Sequence, residues 1–166
     1  MNLRVKIKRL KDVELPKYAR EFDAGFDLVA AEDVIINPGE TKVIPTGLAF
    51  EIPPGNEMQI RPRSGISAKT RLRVVLGTVD SGYRSEVGII VNNISFDTWS
   101  NAARNIDNSY VEETRNKCEP GSYIIRKGDR LAQGVIAPVV TANFVEVDKL
   151  SESDRDSSGF GSTGVK

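Results

Sequence analysis

The sequence predicts an all-β fold, a jelly-roll or barrel-like subunit of short antiparallel strands. Two observations carry that prediction. Short alternating or wholly apolar runs recur along the chain, and Pro-Gly or Gly turns separate them. A third sets the scale: 166 residues, 39% of them hydrophobic, suffice for one domain with a real core.

In chain order, LRVKIKRL sets Leu3, Val5 and Ile7 on one face with basic residues opposite, a half-buried strand. AGFDL (24–28) starts the next strand, with Asp27 between apolar neighbours. DVII, KVIPTGLAFEI and EMQIRP follow, punctuated by turns at NPGE (37–40) and PPGN (53–56). SGISAKTR (64–71) is long enough for a turn or two of helix, started by a serine cap. RLRVV and EVGIIV flank TVDSGYRSE (78–86), where SG reads as a hairpin bend beside Asp80 and Tyr83. After turns at EPGS (119–122) and KGD (127–129), SYIIRK, LAQGVIAPVV and NFVEV complete a core over 1–150.

One excursion interrupts that core. Residues 97–119, DTWSNAARNIDNSYVEETRNKCE, are polar and Asn-rich, with a thin apolar face and room for a short helix around SYVEETRNK. Trp99, Ile106, Tyr110 and Val111 either pin this arm to the body or offer it to a partner. The tail, 151–166, holds SSGFGSTG and has no strand pattern. It is either linker or a segment that takes its structure from what it binds.

Composition excludes several classes. Lys plus Arg and Asp plus Glu both number 23, so the net charge is zero and nothing points to a general nucleic-acid or membrane binder. No apolar run approaches a spanning helix, and MNLRVKIKRLKD is no signal peptide, which makes the cytoplasm the default location. The single cysteine, Cys118, excludes intrachain disulfides and thiolate zinc clusters. There is no histidine. A general base is therefore a carboxylate, a lysine or a tyrosine, and a metal would be held by oxygen, with Mg2+ the natural choice.

Four stretches can carry chemistry, and each has a plainer structural reading. PRSG (62–65) sets Arg63 and Ser64 before a helix start, suited to phosphate oxygens or simply to capping. Asp80 and Tyr83 suit water activation beside a planar or sugar-like ligand, or are a turn aspartate and a packing ring. Asp27 is structural or holds a hydrated cation. GDRLAQ (128–133) places Arg130 and Gln133 at a strand start, and a glutamine in an apolar run asks for a partner. Together they are the parts for binding a nucleoside triphosphate. The absence of GxxxxGK[ST] excludes a P-loop ATPase.

In order and spacing, AGFDL, PRSGIS, GTVDSGYRSE, GDRLAQ and RDSSGFGSTG resemble the five motifs of the trimeric dUTPases. The resemblance implies a homotrimer with shared sites, a tail that closes over each, and Mg2+-dependent hydrolysis of dUTP to dUMP and pyrophosphate. It implies Asp80 as the general base and Tyr83 as the ring that excludes a 2′-hydroxyl. Backbone between Val75 and Ile90, Gly77 and Val79 included, would read uracil. Arg63, Ser64 and Gly65 would bind phosphate; Asp27 and Gln133 would hold magnesium mainly through water, Gln133 also touching substrate. Arg130 would support the site. From the tail, Arg155 would reach the γ-phosphate, Phe160 would stack on uracil, and Gly161, Ser162 and Thr163 would wrap the phosphates.

Three departures stand out from the family pattern. Asp156 and Ser158 replace glycines in the fifth motif, Ser85 replaces a glycine in the third, and 97–119 is extra. Such extra segments occur in phage members, so a phage or prophage origin and a regulatory protein partner for the arm are both expected. The related dCTP deaminases, a purely regulatory nucleotide switch and a capsid-like jelly roll fit the motifs less well.

Overall fold

A computed structural model describes residues 3–97 and 99–153. In chain order its strands are Lys6–Arg9 (β1), Phe26–Val29 (β2), Val34–Ile36 (β3), Thr41–Pro45 (β4), Leu48–Glu51 (β5) and Asn56–Pro62 (β6). A short helix, Ser64–Lys69 (α1), precedes Leu72–Val74 (β7), Gly77–Asp80 (β8), Gly88–Asn93 (β9), Tyr123–Ile125 (β10) and Arg130–Pro138 (β11). The strands pair antiparallel with one another, in a four-stranded sheet β2-β11-β6-β8, a three-stranded sheet β4-β9-β7, and the pairs β1-β5 and β10-β3. The mostly-β, jelly-roll expectation is met.

Alternation builds the core. Met58 and Ile60 of β6 turn inward while Glu57, Gln59 and Arg61 turn out. Leu28, Ile44, Leu72, Ile89, Ile125 and Leu131 join them between the sheets. The glycines of AGFDL and LAQG lock β2 to β11. A Cβ on Gly134 would stand 2.6 Å from the Phe26 ring, and one on Gly25 would stand 3.1 Å from Val135 Cγ2. Phe26 can therefore lie flat across β11 only where the opposite residue has no side chain. The KGD turn is equally specific: Gly128 has φ 92°, a conformation that side chains resist. The Asp129 carboxylate accepts from the Arg126 N–H, and Asp33 accepts from the Lys127 N–H, both at 2.8 Å. Those two bonds fix how the chain enters β11.

Five expectations need correction. TVDSGYRSE is a bend but not a hairpin: Tyr83 N–H donates to the Asp80 carbonyl at 3.0 Å, yet β8 pairs with β6 and the following β9 pairs with β4 and β7. The bend passes the chain from one sheet to the other. Helix α1 begins at Ser64 with Arg63 as its cap residue, and no side chain caps it. NFVEV is not a strand, because it has no ladder neighbour among the described residues; Phe144 is 92% exposed. Nor is β1 half-buried: Ile7 is exposed and, with Leu3, lines an open groove of about 550 Å³ against Tyr18, Phe26, Phe50 and Ile136. In the arm, the expected helix is one 3₁₀ turn, Glu112–Thr114.

The arm is anchored by backbone. Arg104 N–H donates to the Ser122 carbonyl at 2.9 Å, its carbonyl accepts from Ile124 N–H at 2.8 Å, and Val111 N–H donates to the Ala103 carbonyl at 2.8 Å. Ala102, Ala103 and Val111 are buried, whereas Trp99 is 94% exposed and pins nothing. The buried Tyr123 hydroxyl accepts from Arg71 N–H at 3.1 Å and donates to Asn108 Oδ1 at 3.2 Å, tying the arm to the start of β7. Among the described residues, no helix is long and apolar enough to cross a membrane.

A Gly134→Ala substitution is expected to destabilise the fold by about 1–3 kcal/mol through overpacking against Phe26. Urea unfolding measures it, and an unchanged midpoint would contradict this packing account.

Candidate active site

Two clusters of reactive side chains form on the four-stranded sheet, at opposite edges. The first gathers AGFDL, PRSG and GDRLAQ. Asp27, on β2, is 16% exposed at its side chain; its Oδ1 lies 3.1 Å from Arg63 Nε and its Oδ2 3.3 Å from Arg130 Nη1. Arg63 Nη1 also donates to the Arg130 carbonyl at 3.0 Å. Gln133 pairs with Asp27 across β2-β11 and with Arg61 across β11-β6, so its side chain shares their outer face. Next to them, Ser64 is free of capping duty and Gly65 has open space where a Cβ would stand. The result is two fixed guanidiniums, a hydroxyl and an open backbone, an arrangement that suits phosphate oxygens.

The carboxylates around the β11 turn show how that cluster is held. Burial pushes the Asp129 carboxyl up from its ordinary value, against the pull of the Arg126 N–H. The Lys127 N–H and then the Arg126 guanidinium hold Asp33 below its ordinary value.

The second cluster lies around Asp80. It borders a small cavity of about 210 Å³ between the two sheets, lined by Val75, Gly77, Thr78, Val79, Tyr83, Gly88 and Ile90. The backbone of its walls is fixed, since Val75 N–H donates to the Ile90 carbonyl at 2.9 Å. A Cβ on Gly77 would meet only ordinary contacts, at 3.5 Å from Ile60, so packing in this chain does not demand glycine there. Its effect is to leave main-chain groups open to the cavity. At Gly88 packing does demand it, because a Cβ would stand 2.4 Å from Val43 Cγ1. Asp80 is exposed at the strand end, and the Tyr83 hydroxyl donates to the Glu86 carbonyl at 3.0 Å, which sets the ring across the cavity mouth.

The spatial order separates the clusters. Three strand steps across and four residues along the sheet put Asp27 and Asp80 roughly 19 Å apart on ordinary sheet dimensions. Arg155, Phe160, Gly161, Ser162 and Thr163 lie outside the described residues.

The model of the dUTPase family matches residues 11–101 and 121–164. The chain belongs to the dUTPase family. As a member it is an enzyme, a dUTP diphosphatase, and the stretch that the match passes over, 102–120, overlaps the arm in all but its last residue. A deoxyuridine 5′-triphosphate nucleotidohydrolase of Gloeothece citriformis is 42% identical over 166 residues, covering 98% of each chain. A Staphylococcus bacteriophage 80alpha dUTPase with dUPNHPP superposes with a TM-score of 0.90 at 38% identity, covering 98% of this chain and 99% of its own. That phage enzyme is described as controlling transfer of virulence genes by a G protein-like mechanism. A mutant dUTPase from phage phi11 of S. aureus, TM-score 0.81 and 30% identity over 88% of this chain and 97% of its own, is described with a structural Mg(II) ion. The likeness to several phage structures supports a phage or prophage origin.

Among the described residues no group of three or more His, Cys, Asp or Glu side chains could cage a metal. Asp27 and Gln133 offer side-chain oxygens on one face, the donor type that magnesium takes, and Asp27 is already engaged by two arginines.

The Asp27–Arg63–Arg130 bridge was not legible in the sequence, because Arg63 and Arg130 stand 36 and 103 positions from Asp27. Sequence reasoning also missed Glu57, Gln59 and Arg61, whose alternate spacing in EMQIRP was the available signal.

An Arg63→Lys variant keeps the charge but loses the fork that spans Asp27 and the Arg130 carbonyl. Its kcat/KM for dUTP is expected to fall by about tenfold or more, with little change in thermal midpoint. A wild-type kcat/KM would mean that only charge matters there.

Proposed function

We propose that this chain acts as a homotrimer, hydrolysing dUTP with magnesium in sites shared between subunits, with Asp80 as general base. The observation that carries the reading is the separation of the two clusters. A span of roughly 19 Å is farther than a triphosphate reaches from its α to its γ phosphorus. Asp80 of one chain and Arg63 of another can meet on one substrate where two chains abut.

Other features support further copies as partners. Val43, Val75, Leu76 and Ile90 are exposed on and beside the β4-β9-β7 sheet, and buried Asn92 Oδ1, on the same sheet, finds no hydrogen-bond donor among the described residues. The groove beside β1 and the strand-like residues 143–147 are both open to neighbours.

In the reaction, a water held by Asp80 attacks the α phosphorus. Its proton passes to the carboxylate, the bond from that phosphorus to the bridging oxygen breaks, and dUMP and pyrophosphate leave. Tyr83 lies against the deoxyribose and rejects a 2′-hydroxyl by steric exclusion, a steep filter compared with a missing methylene. Main-chain groups from Gly77 to Val79 read the uracil edge. Arg63, Ser64 and Gly65 take the phosphates, while Asp27 holds Arg63 and Arg130 in place. Asp27 and Gln133 would also hold Mg2+ through water, and the ion would neutralise charge on the leaving pyrophosphate. By resemblance, Arg155 reaches the γ-phosphate, Phe160 stacks on uracil, and Gly161, Ser162 and Thr163 wrap the phosphates. A cytoplasmic location suits an enzyme of soluble nucleotides; neither nucleic acid nor membrane enters this account.

A second role is favoured by one feature. Phe96 and Trp99 are 92% and 94% exposed at the foot of an arm whose Arg104 is clamped by Asp97 and Tyr110. Exposed aromatic rings beside a fixed arginine are what protein interfaces use as anchors. We assign the arm to a regulatory protein partner.

The test of the main reading is pyrophosphate release from dUTP, dTTP, dCTP and UTP, with and without magnesium. Turnover of dUTP alone, lowered about 10²–10⁴-fold by Asp80→Asn while dUTP binding persists, is the expected result. Rapid turnover by that variant would remove Asp80 from its role. For the arm, Phe96→Ala with Trp99→Ala is expected to leave dUTP turnover within about twofold, since surface rings outside the site carry no catalytic load. A large loss in the same assay would put them in the catalytic unit instead.

A further inference from the structure

The reading of Asp80 as the base leaves its nearest neighbour on the sheet unexplained. In the β6-β8 ladder Glu57 stands directly opposite Asp80, followed by Met58 opposite Val79 and Gln59 opposite Thr78. Met58 and Val79 are buried, so Glu57 and Asp80 share the outer face. Side chains so paired have Cβ atoms about 4.5–5.5 Å apart, and like charges at such positions destabilise a sheet. Among the described residues no salt bridge reaches either carboxylate, and the residue beyond Glu57, across β6-β11, is the uncharged Ala137.

Glu57 is also held in place. Gln59 Nε2 donates to Glu57 Oε1, and Gln59 Oε1 accepts from Arg61 Nε at 2.9 Å and Nη2 at 2.6 Å. Arg61 can only donate, so it turns the amide oxygen of Gln59 toward itself and leaves the amide nitrogen for Glu57. Three alternate residues of β6 thus form a ladder whose end is the carboxylate of the residue opposite the proposed base. A sheet that only needed stability would place a neutral or basic residue there. Local conflicts of this kind concentrate where function requires them.

We propose that Glu57 is a positioning residue for catalysis. Its fixed carboxylate repels that of Asp80 and turns it away from β6, toward the cavity and the water it must hold. This inference rests on Asp80 being the base.

The experiment uses the full-length protein with Glu57→Gln and Glu57→Asp, each alone and in an Asp80→Asn background. Glu57→Gln is expected to raise the thermal midpoint by a few degrees by relieving the repulsion. It is expected to lower kcat about tenfold and to move KM for dUTP by less than about twofold, the pattern of a lost transition-state contribution. Glu57→Asp keeps the charge and recovers most of the turnover. In Asp80→Asn, Glu57→Gln changes neither the midpoint nor the residual turnover. Unchanged kcat in Glu57→Gln overturns the proposal, as does a lowered midpoint or an effect that persists without Asp80. Those results leave Asp80 as the base if Asp80→Asn itself is inactive; full turnover by Asp80→Asn would remove the base assignment and this inference together.

Discussion

The antiparallel seating of β11 between β2 and β6 decides where the reactive groups of this chain can stand. It depends on one contact, the Phe26 ring lying over Gly134, where even a methyl group would collide at 2.6 Å. With that register fixed, Asp27 and Gln133 face each other, the KGD turn delivers Arg130 to the same carboxylate, and Arg63 follows from the end of β6. The same sheet order puts β8, and Asp80 with it, at the far edge. A single constraint therefore assembles the Asp27 cluster and keeps it away from Asp80. A site shared between chains, as proposed, would bring together the two groups that one chain holds apart.

Much of this could be read in the residues. Turn chemistry identified NPGE, PPGN, EPGS and KGD, and glycine occupies positive φ in each. Period-two alternation located most strands, because their inner faces are buried by the opposing sheet. Failures came where pairing was not local. Asp80 and Gly88 are joined by residues 81–87, which open on a tight bend, yet their strands enter different sheets, which no spacing reveals. NFVEV has a strand's alternation but no neighbour among the described residues, and a ladder needs two strands. Ser64 looks like a cap, but the cap position falls on Arg63, leaving the hydroxyl for other work. At Asp27 the residue type was legible as a site carboxylate; its engagement with two arginines was not, because each partner comes from a distant motif.

The arm illustrates the difference between anchoring and display. Its small buried residues, Ala102, Ala103 and Val111, and the Tyr123 hydroxyl bind it to the core, while its largest ring points outward. Arg104 completes the anchor, bonded to Asp97 and stacked 4.9 Å above the Tyr110 ring. Composition alone described this segment as polar; the placement of its few aromatic residues is what separates a docked arm from a plain loop.

The most direct test of the central claim is subunit complementation. Asp80→Asn and Arg63→Ala chains, each inactive alone, would be unfolded together and refolded into mixed assemblies, and dUTP turnover measured. Sites built from two chains predict recovered activity, because some sites then combine an intact Asp80 from one subunit with an intact Arg63 from another. If the mixed assemblies hydrolyse dUTP no faster than either variant alone, the base and the phosphate cluster belong to one chain, and the account of a shared site is wrong.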